Sequence, residues 1–122
     1  NRCMKIGKFV IVEYATTKLQ KTLTSEIALR RTYGDRRARE IQKRLSVLYG
    51  AMVLADFVPY TRPERCHELV GNRAGQLAMD IDKGTRLIFK PLVDPIPRRS
   101  DGGMDWNAID AIIIIEIVNY HE

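Results

Sequence analysis

Cysteine, tryptophan and histidine are scarce in this chain of 122 residues, which has two cysteines, one tryptophan and two histidines. The two cysteines, Cys3 and Cys66, are too few for a disulfide scaffold, and they do not have the spacing of a metal site. We therefore expect both thiols to be reduced, and we expect neither a metal ion nor another cofactor.

Long apolar stretches are also missing. The isoleucine-rich run 111–115 is far shorter than the roughly 20 residues that a membrane-spanning helix needs. The N-terminal region shows no continuous apolar segment followed by a small-residue cleavage site, so no secretory signal is expected. We expect a cytoplasmic protein without a membrane partner. Three residues precede Met4, and the sequence leaves open whether Met4 is the native start.

The length and composition predict one globular domain over residues 1–122, with 45% hydrophobic and 29% charged residues. Lysine and arginine (20) exceed aspartate and glutamate (15), and this net charge of +5 favours an anionic partner such as nucleic acid or an acidic protein. Basic residues are concentrated between positions 30 and 44. This stretch is interpreted either as a contact surface for a phosphate backbone or as a solvated helix face.

Two helices are predicted in the first half of the chain, after a short strand that ends near Tyr14. The first helix begins at Thr16 or Thr17 and ends at Gly34, because apolar residues recur at intervals of four. Asp35 is predicted to cap the second helix, whose basic side chains lie largely on its outer side. The predicted inward-facing residues are Leu19, Leu23 and Ile27 on the first helix and Ala38, Ile41, Leu45, Leu48 and Met52 on the second.

The second half of the chain predicts a sheet. Apolar and polar residues alternate over 77–82, and the turn at 82–84 leads into a partner strand over 86–90, which together form a hairpin. Four consecutive isoleucines, 112–115, leave no side for water, so the last strand is predicted to be central and buried on both faces. The fold class is therefore α+β, with an N-terminal helical hairpin packed on a small, mainly antiparallel sheet.

The region between these strands is predicted to be mostly loop. Residues 91–103 are rich in proline, glycine, aspartate and arginine, and one short helical turn is expected within 105–110. The single tryptophan, Trp106, is interpreted as an anchor for this loop, with base stacking as the alternative.

Groups that can transfer protons or hold phosphates lie in or beside the predicted strands. His67 and His121 have the unperturbed pKa range suited to proton transfer near neutral pH. Arg73 and Arg86 can hold a phosphate in bidentate fashion, and Tyr120 offers a hydroxyl and a ring for base stacking. Cleavage of RNA by its own 2′-hydroxyl needs a base, an acid and cations near the developing charge, so this set is chemically sufficient. The structural alternatives are a satisfied strand histidine and an Arg86 that pairs with Asp80 or Glu116.

The order and spacing of four segments resemble the RelE/ParE superfamily of type II toxins, in particular its HigB-like plasmid maintenance system killer proteins. These segments are CHELVGNRAGQLAMDI, TRLIF, DGGMDW and IIEIVNYH. The resemblance covers about half of the chain and implies a compact, RelE-like α+β toxin. It also implies a small helix-turn-helix antitoxin as partner, mRNA on the ribosome as substrate, and contact with operator DNA only through the antitoxin complex.

The site residues of that family match five positions. They are His67, which opens the family motif, Arg73 of its Gly-Asp/Asn-Arg triplet, Arg86 before the Leu-Ile-Phe strand, and the terminal pair Tyr120 and His121. Two positions depart from the pattern, since Val70 replaces a usual lysine and Asn119 replaces a usual aspartate. These changes remove a cation and a carboxylate from the site, which implies weaker activity or greater dependence on Arg73 and Arg86.

The sequence thus predicts a metal-independent endoribonuclease that acts on translated mRNA. Its predicted catalytic residues are Arg86, Tyr120, His121 and His67, and its predicted phosphate contacts are Arg73, Lys90, Arg36, Arg37, Lys43 and Arg44. Two alternatives stay open. One is a non-enzymatic, ParE-like inhibitor of DNA gyrase, and the other is an attenuated toxin that mainly binds its antitoxin and co-represses their operon.

Overall fold

The computed structural model of the chain describes residues 9–119. Within this range, three α-helices precede most of a five-stranded sheet, which confirms the α+β class. The helices are α1 (Thr17–Leu23), α2 (Glu26–Tyr33) and α3 (Asp35–Gly50). The strands are β1 (Ile11–Tyr14), β2 (His67–Glu68), β3 (Leu77–Asp82), β4 (Thr85–Pro91) and β5 (Ala111–Asn119). No helix in this range is long and apolar enough to cross a lipid bilayer.

The sheet has the strand order β1-β5-β4-β3-β2. Strand β1 runs parallel to β5, and every other neighbouring pair is antiparallel. The predicted hairpin is confirmed as β3 and β4, which are joined at Lys83 and Gly84, and Gly84 has the positive φ of +89° that a glycine adopts without strain. Strand β5 is central, as predicted, because it lies between β1 and β4.

The predicted first helix is wrong in one respect, because it is broken into α1 and α2. The Thr24 hydroxyl donates to the carbonyl of Gln20 at the end of α1, and the Ser25 hydroxyl accepts from the amide of Ala28 at the start of α2. Such side-chain bonds compete with continued helix formation. The break also changes which residues face inward: Ile27 is 62% exposed, and Leu29 is buried instead.

Helix α3 follows the predicted apolar stripe through Leu48, but two details differ. Met52 lies beyond the end of the helix and is 44% exposed. Asp35 is the first helical residue, and the capping position is taken by Gly34, whose φ of +83° favours glycine. Helices α2 and α3 therefore meet at a glycine turn, as expected, but without a side-chain cap.

The helices cover one face of the sheet, and the core lies between the two layers. Strand β5 buries Ile112 and Ile114 toward this core, whereas Ile113 and Ile115 are only half-buried. The prediction that β5 is buried on both faces is therefore wrong, because its second face is only partly covered. The free thiol of Cys66 is buried, and burial, with the charge of Glu64, raises its pKa to about 12. Cys3 lies outside the described residues.

Candidate functional site

Strand alternation sends every second side chain away from the helices, onto what we call the open face of the sheet. On β4, Leu87 and Phe89 belong to the helix-side core, so Arg86 and Ile88 point to the open face, where Ile88 is itself fully buried by the rest of the chain. On that face, Arg86 lies between its cross-strand partners Asp80 and Val118. Ile88 lies between Ala78 and Glu116. His67 pairs with Ala78 and continues the second row onto β2. The predicted catalytic arginine, Arg86, therefore shares one face of the sheet with His67.

A groove of about 750 Å³ opens beside β3, where β2 has ended. We call it the basic groove because five cationic side chains and two carboxylates line it. The cations are Arg44, Arg62, Arg65, Lys83 and Arg86, and the carboxylates are Asp80 and Asp82. The excess positive charge in a concave site attracts anions such as phosphates. Within residues 9–119, no group of three or more His, Cys, Asp or Glu side chains is placed to hold a metal ion.

One carboxylate positions two of the arginines. Arg65 Nη1 lies 3.0 Å from Asp80 Oδ2, and Arg86 Nε lies 3.3 Å from Asp80 Oδ1. The expected alternative for Arg86, a pair with Asp80, is therefore observed. A guanidinium carries more N–H donors than one carboxylate oxygen uses, so the pair with Asp80 orients Arg65 and leaves it donor capacity for a phosphate.

Arg44 has a structural role. Arg44 is only 6% exposed, and its guanidinium donates to the carbonyls of Asp80 (2.6 Å) and Ile81 (3.1 Å). The amide of Asp80 donates to the carbonyl of Glu64 at 2.6 Å. These bonds satisfy the backbone of β3 where it has no neighbouring strand. Arg44 thus joins α3 to the sheet and adds charge to the groove, but it does not lie on an exposed helix surface as the sequence suggested.

The start of α3 is tied to the same hairpin. Arg37 Nε lies 3.0 Å from Asp82 Oδ2. Burial by itself raises the pKa of Asp82, but the hydrogen bond from Arg37 and the charges of Arg37 and Arg36 outweigh it, and the pKa lies below its usual range. Arg36 and Arg37 are therefore close to the rim of the basic groove without lining it.

The remaining predicted phosphate contacts lie elsewhere. Arg73 reaches over the open face, where it donates to Glu116 (2.6 Å) and Gln76 (2.8 Å). Lys43 is exposed on α3 and pairs with Glu40, and exposed Lys90 lies toward the far end of β4 from Arg86. Neither lysine lines the groove. Their predicted roles in phosphate binding stay predictions.

His67 is separated from the basic groove. It is 8% exposed, its Nδ1 donates to the carbonyl of Arg65 at 2.6 Å, and its ring stacks on Tyr60 with centroids 4.7 Å apart. The strand spacing places its Cα about 12 Å from that of Arg86, and the two side chains line different cavities. Because Nδ1 holds the proton in this bond, Nε2 is the nitrogen that is left to accept one in the neutral ring.

Tyr120 and His121 lie outside the described residues. The described chain ends at Asn119, whose partner in the sheet is Thr85, the neighbour of Arg86. The sequence interpretation missed Arg62, Arg65 and Lys83. The signal for the first two was the basic segment around Pro63, but only the path of the chain shows that it lies against β3.

No protein-family model matches the chain, and no curated protein does so either. Solved structures do match. The YoeB/ParE toxin from Agrobacterium tumefaciens is 10% identical over 89% of this chain and 96% of its own, with a TM-score of 0.50. YafQ from E. coli strain BL21(DE3) is 14% identical over 90% of this chain and 92% of its own, with a TM-score of 0.51, and a histidine variant of YafQ gives the same values.

These structural neighbours are type II toxins of the RelE superfamily. The chain shares their fold along most of its length, with three helices and a mainly antiparallel five-stranded sheet within residues 9–119. The RelE-like architecture expected from the motifs is therefore confirmed. At this level of identity the likeness concerns the fold.

Proposed function

We propose that the chain is the toxin of a type II toxin–antitoxin system and inhibits translation as a HigB-like, metal-independent mRNA endonuclease on the ribosome. The observation that carries this proposal is the basic groove, where Arg65 and Arg86 are oriented by Asp80 on the open face of a RelE-like sheet. A concave site with this charge suits a polyanionic strand better than a neutral substrate.

In the proposed reaction, Arg65 and Arg86 hold the scissile phosphate and stabilise the charge that develops as the 2′-hydroxyl attacks. Tyr120 and His121 supply the acid and base, and they follow Asn119, the sheet partner of Thr85. His67 is a poorer candidate because it is buried and stacked about 12 Å from Arg86. Arg73 is a weaker candidate for phosphate binding because Glu116 and Gln76 already engage two of its donors.

The proposed partner is a helix-turn-helix antitoxin that neutralises the toxin in the cytoplasm. The net charge of +5 suits an acidic antitoxin segment, and Arg36 and Lys43 present exposed cations on α3 for it. Operator DNA is contacted only through the complex with this antitoxin.

The test is cleavage of mRNA in a translating extract by the wild type, Arg86→Ala and His121→Ala. We expect both variants to cleave at least tenfold more slowly, because each loses a transition-state contact. Lys18→Ala is the control, since it removes one exposed cation from α1, far along the chain from the groove. Cleavage at the wild-type rate in both site variants would reject the nuclease assignment.

A gyrase inhibitor remains the second candidate, favoured by two observations. Val70, where related toxins carry a lysine, is 84% exposed, and the ring of His67 is enclosed by its stack on Tyr60. Inhibition of supercoiling by purified gyrase at micromolar toxin, with intact mRNA in the extract, would support this candidate. Absence of growth arrest when the chain is produced without antitoxin would favour an attenuated toxin instead.

A further inference from the structure

A second cavity of about 400 Å³ is lined by residues that precede and follow the segment 62–65, which borders the basic groove. We call it the aromatic pocket, because Phe57, Tyr60, His67 and Trp106 contribute to its lining. Asp105 and Asn107 add a carboxylate and an amide to the same wall. Flat rings combined with a few hydrogen-bonding groups are the usual way in which proteins bind an unstacked base.

The segment 60–67 positions one wall of the pocket. The Tyr60 ring stacks on His67 with an angle of 13° between the planes, and the Arg65 guanidinium carbon lies 5.8 Å from the Tyr60 ring centre. Tyr60 and Arg65 both have positive φ, at 63° and 46°, which non-glycine residues rarely adopt. The amide of Tyr60 donates to the carbonyl of Cys66 and closes the loop. The loop that carries this stack therefore has two residues in an uncommon backbone conformation, a feature that is frequent at binding sites.

The same segment connects the two cavities. The side chain of Arg65 lines the basic groove, whereas its carbonyl fixes His67 in the aromatic pocket. A phosphate held by Arg65 therefore lies within a few side-chain lengths of the Tyr60 ring. A strand of RNA whose phosphates follow the groove has one nucleotide next to the pocket.

We propose that the aromatic pocket binds one unstacked base of the RNA whose phosphates occupy the basic groove. This inference rests on the proposed function and adds a base-binding site built from Tyr60 and Trp106. Asn107 offers a donor and an acceptor for the edge of the base. This polar edge favours a base over an apolar side chain of a protein partner.

Trp106 makes the proposal directly measurable, because it is the single tryptophan of the chain. Titrate the full chain with a short oligoadenylate and, separately, with a sugar–phosphate strand of the same length that lacks bases. We expect the oligoadenylate to quench Trp106 emission and to bind about tenfold more tightly than the abasic strand. Equal affinity for both strands without quenching would overturn the base pocket but leave the basic groove and the nuclease proposal standing.

Two variants at one position separate stacking from folding. Tyr60 is exposed, so its replacement leaves the core intact. Tyr60→Leu should lose about tenfold in affinity for oligoadenylate and nothing for the abasic strand, whereas Tyr60→Phe should keep both affinities. Equal losses for both strands in Tyr60→Leu would overturn the pocket. If neither strand binds the wild type and mRNA stays intact in the extract, the proposed function itself is rejected. Quenching by a coexpressed antitoxin but not by RNA would assign the pocket to a protein contact and overturn the inference.

Discussion

The two faces of the sheet differ sharply, although the same strands build both. On the helix side, Leu87 and Phe89 are fully buried in an apolar core. On the open face, Arg86 alternates with them and is ion-paired with Asp80 beside a basic groove. Alternation along β4 thus places the core residue Leu87 directly beside the site residue Arg86. The comparison indicates that site residues here can be changed at little cost to the fold, whereas their immediate neighbours cannot.

The largest effect on stability should come from the helix side. Leu87→Ala should lower the free energy of unfolding by about 2–5 kcal/mol, because the side chain is fully buried and leaves a cavity. Arg86→Gln, one residue earlier on the open face, should lower it by less than about 1 kcal/mol, because a partly exposed ion pair contributes little. Urea unfolding of both variants measures the difference. Equal losses would mean that the two faces are not energetically distinct.

A smaller loss is expected where the groove meets the helices. Arg44→Met should destabilise the protein by about 1–3 kcal/mol, since the carbonyls of Asp80 and Ile81 lose their buried donor. Lys43→Met is the matched control, because the neighbouring cation is exposed on α3, and its stability should change by less than about 0.5 kcal/mol. Thermal unfolding of the two variants shows whether Arg44 stabilises the fold or only adds positive charge to α3. If Arg44→Met is as stable as Lys43→Met, the edge of β3 does not depend on this side chain.

The smallest of these effects should depend on pH. Asp82→Asn should cost about 1 kcal/mol at neutral pH, because it removes the charge partner of Arg37. The folded-state pKa of Asp82 is lowered, so its stabilisation is present above the usual carboxyl pKa of about 4 and is lost as the pH falls through the folded value. The stability gap between the wild type and the variant should therefore close in acid. Glu13→Gln, which changes an exposed carboxylate on β1, is the control and should not differ in stability from the wild type at either pH. A stability difference between the wild type and Asp82→Asn that stays constant with pH would contradict the ion pair.

The sequence could predict the elements whose signals are local. The alternation over β3 and the turn at Gly84 define the hairpin without reference to the rest of the chain. The break between α1 and α2 was not predicted, because the apolar spacing continues through Thr24 and Ser25, whose hydroxyl bonds end one helix and begin the next. The isoleucine run showed that β5 is central, but an apolar run does not tell which of its faces the helices cover.

The site was predictable only in part, for a related reason. Arg86 could be placed on the hairpin, and its pairing with Asp80 follows from the register of β3 and β4. The approach of Arg65 to the same carboxylate depends on a contact between distant parts of the chain, which no local pattern records. The sequence motifs suggested that His67 lies close to Arg86, but strand β3 lies between the two. Tyr120 and His121 lie beyond the described range, so their roles stay predictions.

The most direct test of the basic groove as the RNA site uses Arg65, one of the three groove residues that only the structure identifies. The rate of mRNA cleavage in a translating extract should fall at least tenfold in Arg65→Gln and stay unchanged in Lys18→Gln. Thermal unfolding curves should show that both variants are folded. Removing a phosphate contact should also weaken the salt dependence of RNA binding, by roughly 0.7 in the slope of log affinity against log salt. Wild-type cleavage and an unchanged salt slope in Arg65→Gln would contradict the account.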